Sequence, residues 1–160
     1  MALTVEDGSI VTNANSYTTD LEFVAYAAER GLTIPSTESS RDKLQVLAKD
    51  YIDGKNFKGY RADPLNQYLS FPRSGIYALD RVIASDEIPK ELKYAQMEAA
   101  IAANTQDLLI NESKSNVARE KMDVLEVAYF SGGQWSKVRL DRVNNFLSSF
   151  LVDKLELIRT

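Results

Sequence analysis

The 160-residue chain contains neither cysteine nor histidine. Without cysteine there is no disulfide framework and no thiolate nucleophile. Without histidine the commonest general base, the commonest metal ligand and the usual Ser-His and Cys-His pairings all drop out. Positive charge is also short: 19 Lys and Arg stand against 23 Asp and Glu, giving −4 and a pI near 5.0. A protein that wraps polyanions needs clustered Lys and Arg, so this balance argues against that class while leaving room for one local basic face. No window approaches the roughly 20 apolar residues that span a bilayer. The start, Met1-Ala2-Leu3-Thr4-Val5-Glu6-Asp7, lacks the basic and apolar pattern of a signal peptide. The sequence therefore predicts a soluble protein of cytoplasmic type with no membrane partner. No phosphate-cradling glycine loop and no nucleophile elbow occur; Ser74-Gly75 follows Pro72-Arg73 with no histidine to activate the serine. Acidic pairs can be drawn (Glu6 with Asp7, Asp50 with Asp53, Asp86 with Glu87), but none has a second signal beside it. An enzyme is not expected, and no metal or cofactor is implied.

What the chain does have is ordinary for a globular domain, with 44% hydrophobic and 26% charged residues. Its length suits a single domain over 1–160, able to bury a real core. After an irregular or β-like lead over 1–17, Thr19 and Glu22 stand in capping-box spacing and start a helix. Leu21, Val24, Ala25 and Ala28 follow at helical spacing and predict its apolar stripe, with Gly31 as the stop. A second helix carries Leu44, Leu47, Ala48 and Tyr51 on one face and ends at Asp53-Gly54. A third opens at Pro89, behind Ser85-Asp86-Glu87, and runs a small-residue seam through Leu92, Ala95, Ala99 and Ala102. Such a seam permits close helix approach, so this helix is expected at the centre. Leu125, Val127 and Tyr129 alternate with polar or small residues, predicting a strand paired with Val117 to Met122 in a hairpin excursion over 111–135. The end, 136–160, reads as one amphipathic helix with Leu140, Val143, Leu147, Phe150 and Leu151 on a face that closes the core or docks on a neighbour. The fold class expected is mainly α: a bundle of about four helices with a small β-hairpin and an irregular lead.

Between Lys55 and Asp86 the helical period is lost. Its centre is Asn66-Gln67-Tyr68-Leu69-Ser70-Phe71-Pro72-Arg73-Ser74-Gly75, an ordered loop in which Tyr68, Leu69 and Phe71 are expected to plug into the core. Just before it Lys55, Lys58 and Arg61 interleave with Phe57 and Tyr60, and Arg73 follows. That arrangement can bind a single strand by charge and stacking. The plainer reading, a solvated basic rim over two core aromatics, fits the acidic chain better.

The order of these pieces resembles a known family, the phage head-to-tail adaptor or head-completion proteins, often labelled DnaT-like single-stranded DNA-binding proteins. The resemblance is carried by Val5-Glu6-Asp7-Gly8 with Asn13-Ala14-Asn15-Ser16-Tyr17, by Ala25-Tyr26 with Arg30-Gly31, and by Asp50-Tyr51-Ile52 with Phe57-Lys58-Gly59. It continues through Leu69-Ser70-Phe71-Pro72-Arg73-Ser74-Gly75, where Phe71 stands for the family's tryptophan, and through Ile88-Pro89-Lys90-Glu91-Leu92-Lys93-Tyr94-Ala95. Lys121, Leu125, Glu126, Val127 and Tyr129 resemble its hairpin. The resemblance implies a structural subunit of the virion neck, made in the host cytoplasm, that forms a homo-oligomeric ring, commonly a dodecamer. The ring would sit under the portal protein, extend the DNA channel and meet the next neck component, a stopper or tail terminator. Leu140, Val143, Leu147, Phe150, Leu151 and Tyr129 are then the expected partner-docking residues, and Lys55, Lys58, Arg61 and Arg73 the expected DNA- or channel-facing ones. A single-stranded DNA-binding module built on those four cations is the alternative.

Overall fold

The computed structural model describes residues 2–108, 119–122, 125–128 and 140–152. Four helices and three antiparallel strand pairs occur among the described residues. Two compact units emerge: residues 1–108 with 140–160, and residues 109–139.

The lead is more ordered than its turn-rich sequence suggests. Val5 bridges Ser16, and the fully buried Glu6 carboxylate accepts from the backbone N–H groups of Gly8, Ile10 and Val11 at 2.9, 3.0 and 2.9 Å. Three donors compensate the burial of one charge. Gly8 is obligatory here: its φ is +108°, and a Cβ would lie 1.8 Å from the Asp86 carbonyl oxygen.

Helix α1 (Asp20–Glu29) begins with the expected capping box, Thr19 Oγ1 accepting from Glu22 N–H and Glu22 accepting from Thr19 N–H. It ends as Gly31 (φ +62°) donates to Ala28 O and Leu32 to Ala27 O, the Schellman pattern. Its buried face differs from the expected stripe. Phe23, Tyr26 and Ala27 go inward, while Leu21 is 80% exposed and Val24, Ala25 and Ala28 face solvent. Both faces fit a helical period, and the two aromatics carry the larger burial free energy.

Helix α2 (Glu38–Asp53) ends where expected, at Gly54. Ala48 and Tyr51 are buried as predicted, but Leu44 is half-buried and Leu47 exposed, while Asp42, Gln45 and Ile52 go inside. Helix α3 (Lys90–Ala103), with Pro89 at its N-cap, packs against both α2 and a later helix, α4 (Asp141–Leu147). Leu92, Ala95 and Ala99 are fully buried, and every residue from Ala95 to Ala100 lies inside, as befits a central helix. Gln96 joins the layers. Its Oε1 accepts from Tyr17 N–H (2.8 Å), and its Nε2 donates to Ser16 Oγ (2.8 Å) and Gln45 O (3.0 Å).

The aperiodic span between α2 and α3 folds into two short pairs. Strand β1 (Tyr60–Arg61) pairs with β2 (Arg73–Ser74), and β3 (Tyr77–Ala78) pairs with β4 (Arg81–Val82) through Leu79 and Asp80, both at positive φ. The loop inserts Leu69 and Phe71 into the core as expected, with the Phe71–Pro72 peptide cis. Tyr68 does not follow them; it is 53% exposed, because its neighbours on either side, Gln67 and Leu69, take the inward positions.

The single long C-terminal helix is not formed. Helix α4 stops at Leu147, where the Ser148 hydroxyl bonds back to Asn145 O and the chain turns. It then runs extended beside the start of the aperiodic span: Leu151 bridges Phe57, Lys58 N–H donates to Phe150 O (2.8 Å) and Val152 N–H to Asn56 O (3.0 Å). Phe71 stacks edge-on against Phe57 (5.0 Å) and Phe150 (6.2 Å), closing this end of the core. In the second unit β5 (Arg119–Met122) pairs antiparallel with β6 (Leu125–Ala128), as predicted. Tyr129, Val117, the turn at Asp123 and the segments 136–139 and 153–160 lie outside the described residues.

Candidate functional site

The four cations expected to face DNA come to the same stretch of chain but not to the same fate. Arg73 is held by its own fold. Its Nε donates to Lys58 O (2.8 Å), Nη1 to Ser70 O (3.3 Å), and Nη2 to Gly59 O (2.7 Å) and Phe57 O (3.3 Å). The planar fork thus ties the β1 segment to the loop. Burial, with Arg61 nearby, lowers its pKa from the ordinary arginine value, which reflects the cost of holding a cation there. The Lys55 ammonium lies 4.0 Å from the Tyr51 ring centre and donates to its hydroxyl (2.9 Å). The Lys58 ammonium reaches Ser149 O at 3.4 Å. Arg61 alone of the four is exposed, next to Tyr60, which is 78% exposed. Of the two interleaved aromatics only Phe57 belongs to the core.

Beneath the loop, Tyr17 and Asp53 form a buried polar pair. Tyr17 Oη donates to Asp53 Oδ1 (2.6 Å) and accepts from Phe71 N–H (3.2 Å); Asp53 Oδ1 also accepts from Ser70 N–H (3.2 Å). Burial pushes the tyrosine pKa well up, with the Asp53 charge and hydrogen bond adding to it. Burial also raises the Asp53 pKa, against the hydrogen bonds from Tyr17 and Ser70 that favour the anion. The pair fastens Phe71 and Ser70 to α2 and reads as structural.

The residues expected to dock a partner are largely consumed by the core. Val143, Leu147 and Phe150 are 1%, 0% and 0% exposed, so their side chains offer no surface to a neighbour. Leu140 and Leu151 are half-buried, and Tyr129 is outside the described residues. The shortened helix explains this: a chain that turns back after Leu147 uses the whole apolar face internally.

Sequence reading missed a pocket of about 470 Å³ bounded by α1, α3 and α4. Tyr26, Leu32 and Phe146 give it apolar walls, Glu98 lies buried within it, and Arg30, Arg142 and Asn145 stand at its rim. Arg30 lies 3.6 Å over the Tyr26 ring. Tyr26 Oη donates to Glu98 Oε1 (2.9 Å), and burial followed by that bond pushes the phenol up to about 12. Arg142 Nη1 stays 3.7 Å from Glu98 Oε2, with its side chain 74% exposed. Ala25-Tyr26 and Arg30-Gly31 were visible as motifs, but nothing in them announces a cavity. Among the described residues no group of acidic side chains could hold a metal, and no helix is long and apolar enough to cross a membrane.

No curated protein and no solved structure matches the chain. One family model does, over residues 1–159, and its description is "Putative DnaT-like ssDNA binding protein". A match across nearly the whole length carries the assignment: the chain belongs to the DnaT-like ssDNA-binding protein family.

Proposed function

We propose that the chain is a structural head-to-tail adaptor subunit of a tailed-phage virion, with a mainly α-helical body. It assembles as a ring beneath the portal, extends the DNA channel and carries the next neck component. The observation that carries this reading is the internal use of the cations. Arg73 is bonded to four backbone carbonyls, and Lys55 and Lys58 also lie on groups of their own chain. A dedicated polyanion site would leave those groups free. Large apolar side chains are exposed beside the charged ones: Leu21, Leu65, Tyr60, Tyr77 and Val82 are each at least 65% exposed, and a subunit that docks on other protein subunits can use them. The ordered resemblance along the chain supplies the specific neck role.

The test is mass by light scattering, with negative-stain imaging, of the protein alone and mixed with its portal protein. The expected result is a ring, alone or on the portal. A monomer that ignores the portal overturns the reading.

A single-stranded DNA-binding module is the second reading, and one observation favours it: Tyr60 and Arg61, consecutive on β1, are both exposed, so this segment offers an aromatic ring and a guanidinium to solvent. Binding of single-stranded DNA that is lost on Tyr60→Ala and Arg61→Glu would support it, and no shift at low salt would remove it.

A further inference from the structure

Among the described residues two buried side-chain atoms have no hydrogen-bond partner within the protein, Asp42 Oδ1 and Gln45 Nε2. Both side chains belong to the inner face of α2, where Asp42 is 4% exposed and Gln45 fully buried. An orphan donor or acceptor at that depth is costly, and more so when it carries charge. The two atoms are also complementary in kind: an ionised carboxylate oxygen accepts, and an amide nitrogen donates.

The neighbouring groups are already committed elsewhere. Gln45 Oε1 accepts from Thr18 Oγ1 (2.6 Å), which occupies the amide oxygen and leaves the nitrogen without a partner. Arg41, the residue before Asp42, spends its guanidinium on both oxygens of Asp20 (2.6 Å each) and on the carbonyls of Pro35 and Ser36. The opposite wall follows from the helix directions. Thr18 with Gln45 and Asp20 with Arg41 make α1 and α2 antiparallel, while Glu22 with Lys93 and Tyr26 with Glu98 make α1 and α3 parallel. Helices α2 and α3 therefore run in opposite senses. Gln96 donates to Gln45 O, so the turn of α2 that carries Asp42 lies opposite the turn of α3 that follows Gln96. That turn supplies Ala99 and Ala100, both fully buried, which bring neither a polar side chain nor bulk.

We propose that one internal water molecule bridges the two side chains, accepting from Gln45 Nε2 and donating to Asp42 Oδ1. Residues three apart on a helix have Cβ atoms about 5–6 Å apart. Two hydrogen bonds of about 2.9 Å through one water span a gap of that size. A water matches one donor and one acceptor at once, whereas a cation would meet the amide N–H groups with the wrong sign. The site lengthens the buried chain of Ser16, Gln96, Gln45 and Thr18 by one turn of α2, and it hydrates a carboxylate held among alanines.

Water-selective NOE and ROE spectra of the 15N-labelled wild-type chain test this at the Gln45 side-chain amide. The expected cross-peaks have opposite signs in the two spectra, the mark of a water held for as long as the protein takes to tumble. Asp42→Asn, whose Oδ1 still accepts, should keep them, and Asp42→Leu should lose them. The Thr18 hydroxyl proton exchanges with solvent and is present in both variants, so a cross-peak that survives Asp42→Leu belongs to that hydroxyl and overturns the bridge. A high-resolution crystal structure of the wild-type chain decides the matter without any variant. A water within hydrogen-bond distance of both atoms supports the proposal, whereas a direct Gln45–Asp42 bond, or no water between them, overturns it. The adaptor reading stands or falls independently of either result.

Discussion

Arg73 and Asp53 show how a residue's neighbours decide its role. In sequence Arg73 is one of four cations near two aromatics; in the fold its guanidinium bonds four backbone carbonyls. Arg73→Ala should cost about 2–4 kcal/mol in urea denaturation, because partly buried carbonyls lose a charged donor. Arg73→Lys should recover only part of this, as an ammonium cannot reproduce the fork. A near-neutral Arg73→Ala would mean that the arginine serves an outside partner instead. Asp53 makes a separate prediction. Its pKa is raised in the fold by burial, so the native state holds the proton more tightly than the unfolded chain does. The stability this contributes is full below the ordinary value of 3.8 and is lost as pH rises through the raised value. Asparagine keeps the Oδ1 acceptor for Tyr17 and Ser70 but does not titrate. The stability of Asp53→Asn relative to wild type should therefore rise with pH across the window just above 3.8 and then level off. A difference that falls with pH would show that the ionised form is the one the site prefers.

At the scale of elements, helix termini were legible in the sequence and helix faces were less so. The Thr19–Glu22 box, the Gly31 stop and the Pro89 start are local chemistry, each satisfied within a few residues, and each appears where the spacing puts it. The α1 face is not local. Leu21, Val24, Ala25 and Ala28 make as regular a stripe as Phe23, Tyr26 and Ala27, and only the partners supplied by α3, such as Glu98 for the Tyr26 hydroxyl, decide between them. Likewise α2 buries Gln45 and Asp42 on its inner face; Gln45 has a Thr18 hydroxyl and α3 behind it, which no periodicity records. The end of α4 was misplaced because the apolar spacing continues past Leu147, whereas Ser148 turns the chain toward the backbone of Asn56 to Lys58. The α1 assignment can be checked with two variants. Phe23→Ala should lower stability by about 3–5 kcal/mol. Leu21→Ser should stay within about 0.5 kcal/mol, as exposed positions do. Equal losses at both sites would mean that the outer stripe is covered, as an assembled ring could cover it, and dilution would then relieve the Leu21→Ser effect alone.

For the whole molecule, the family was legible only as an ordered resemblance, because no single motif in the chain announces it. The pocket and the exposure of Leu65 were hidden for a physical reason: a cavity is made by residues far apart in sequence, here Tyr26, Glu98 and Phe146, and exposure depends on what is not beside a side chain. Net charge was legible, and with the internal use of three cations it sets how strongly a single subunit can hold DNA. If Arg61 and one lysine released from its contact are what a strand can reach, about two phosphates are neutralised, and the log–log salt slope for single strands should be near −1.4. Binding that weak should vanish near physiological salt. Anisotropy of a labelled oligonucleotide, titrated with the isolated subunit from low salt upward, measures the slope directly. A slope of about −3 would require about four phosphate contacts, and if Lys55, Lys58, Arg61 and Arg73 supply them, charge-reversal of each should flatten the slope. Arg73 could join only by releasing its four carbonyls, so that outcome would come with a drop in the melting midpoint on Arg73→Ala that saturating DNA partly restores. The shallow slope, with no such coupling, is what the proposed adaptor predicts, since DNA sliding through a net acidic ring must not be held by any one subunit.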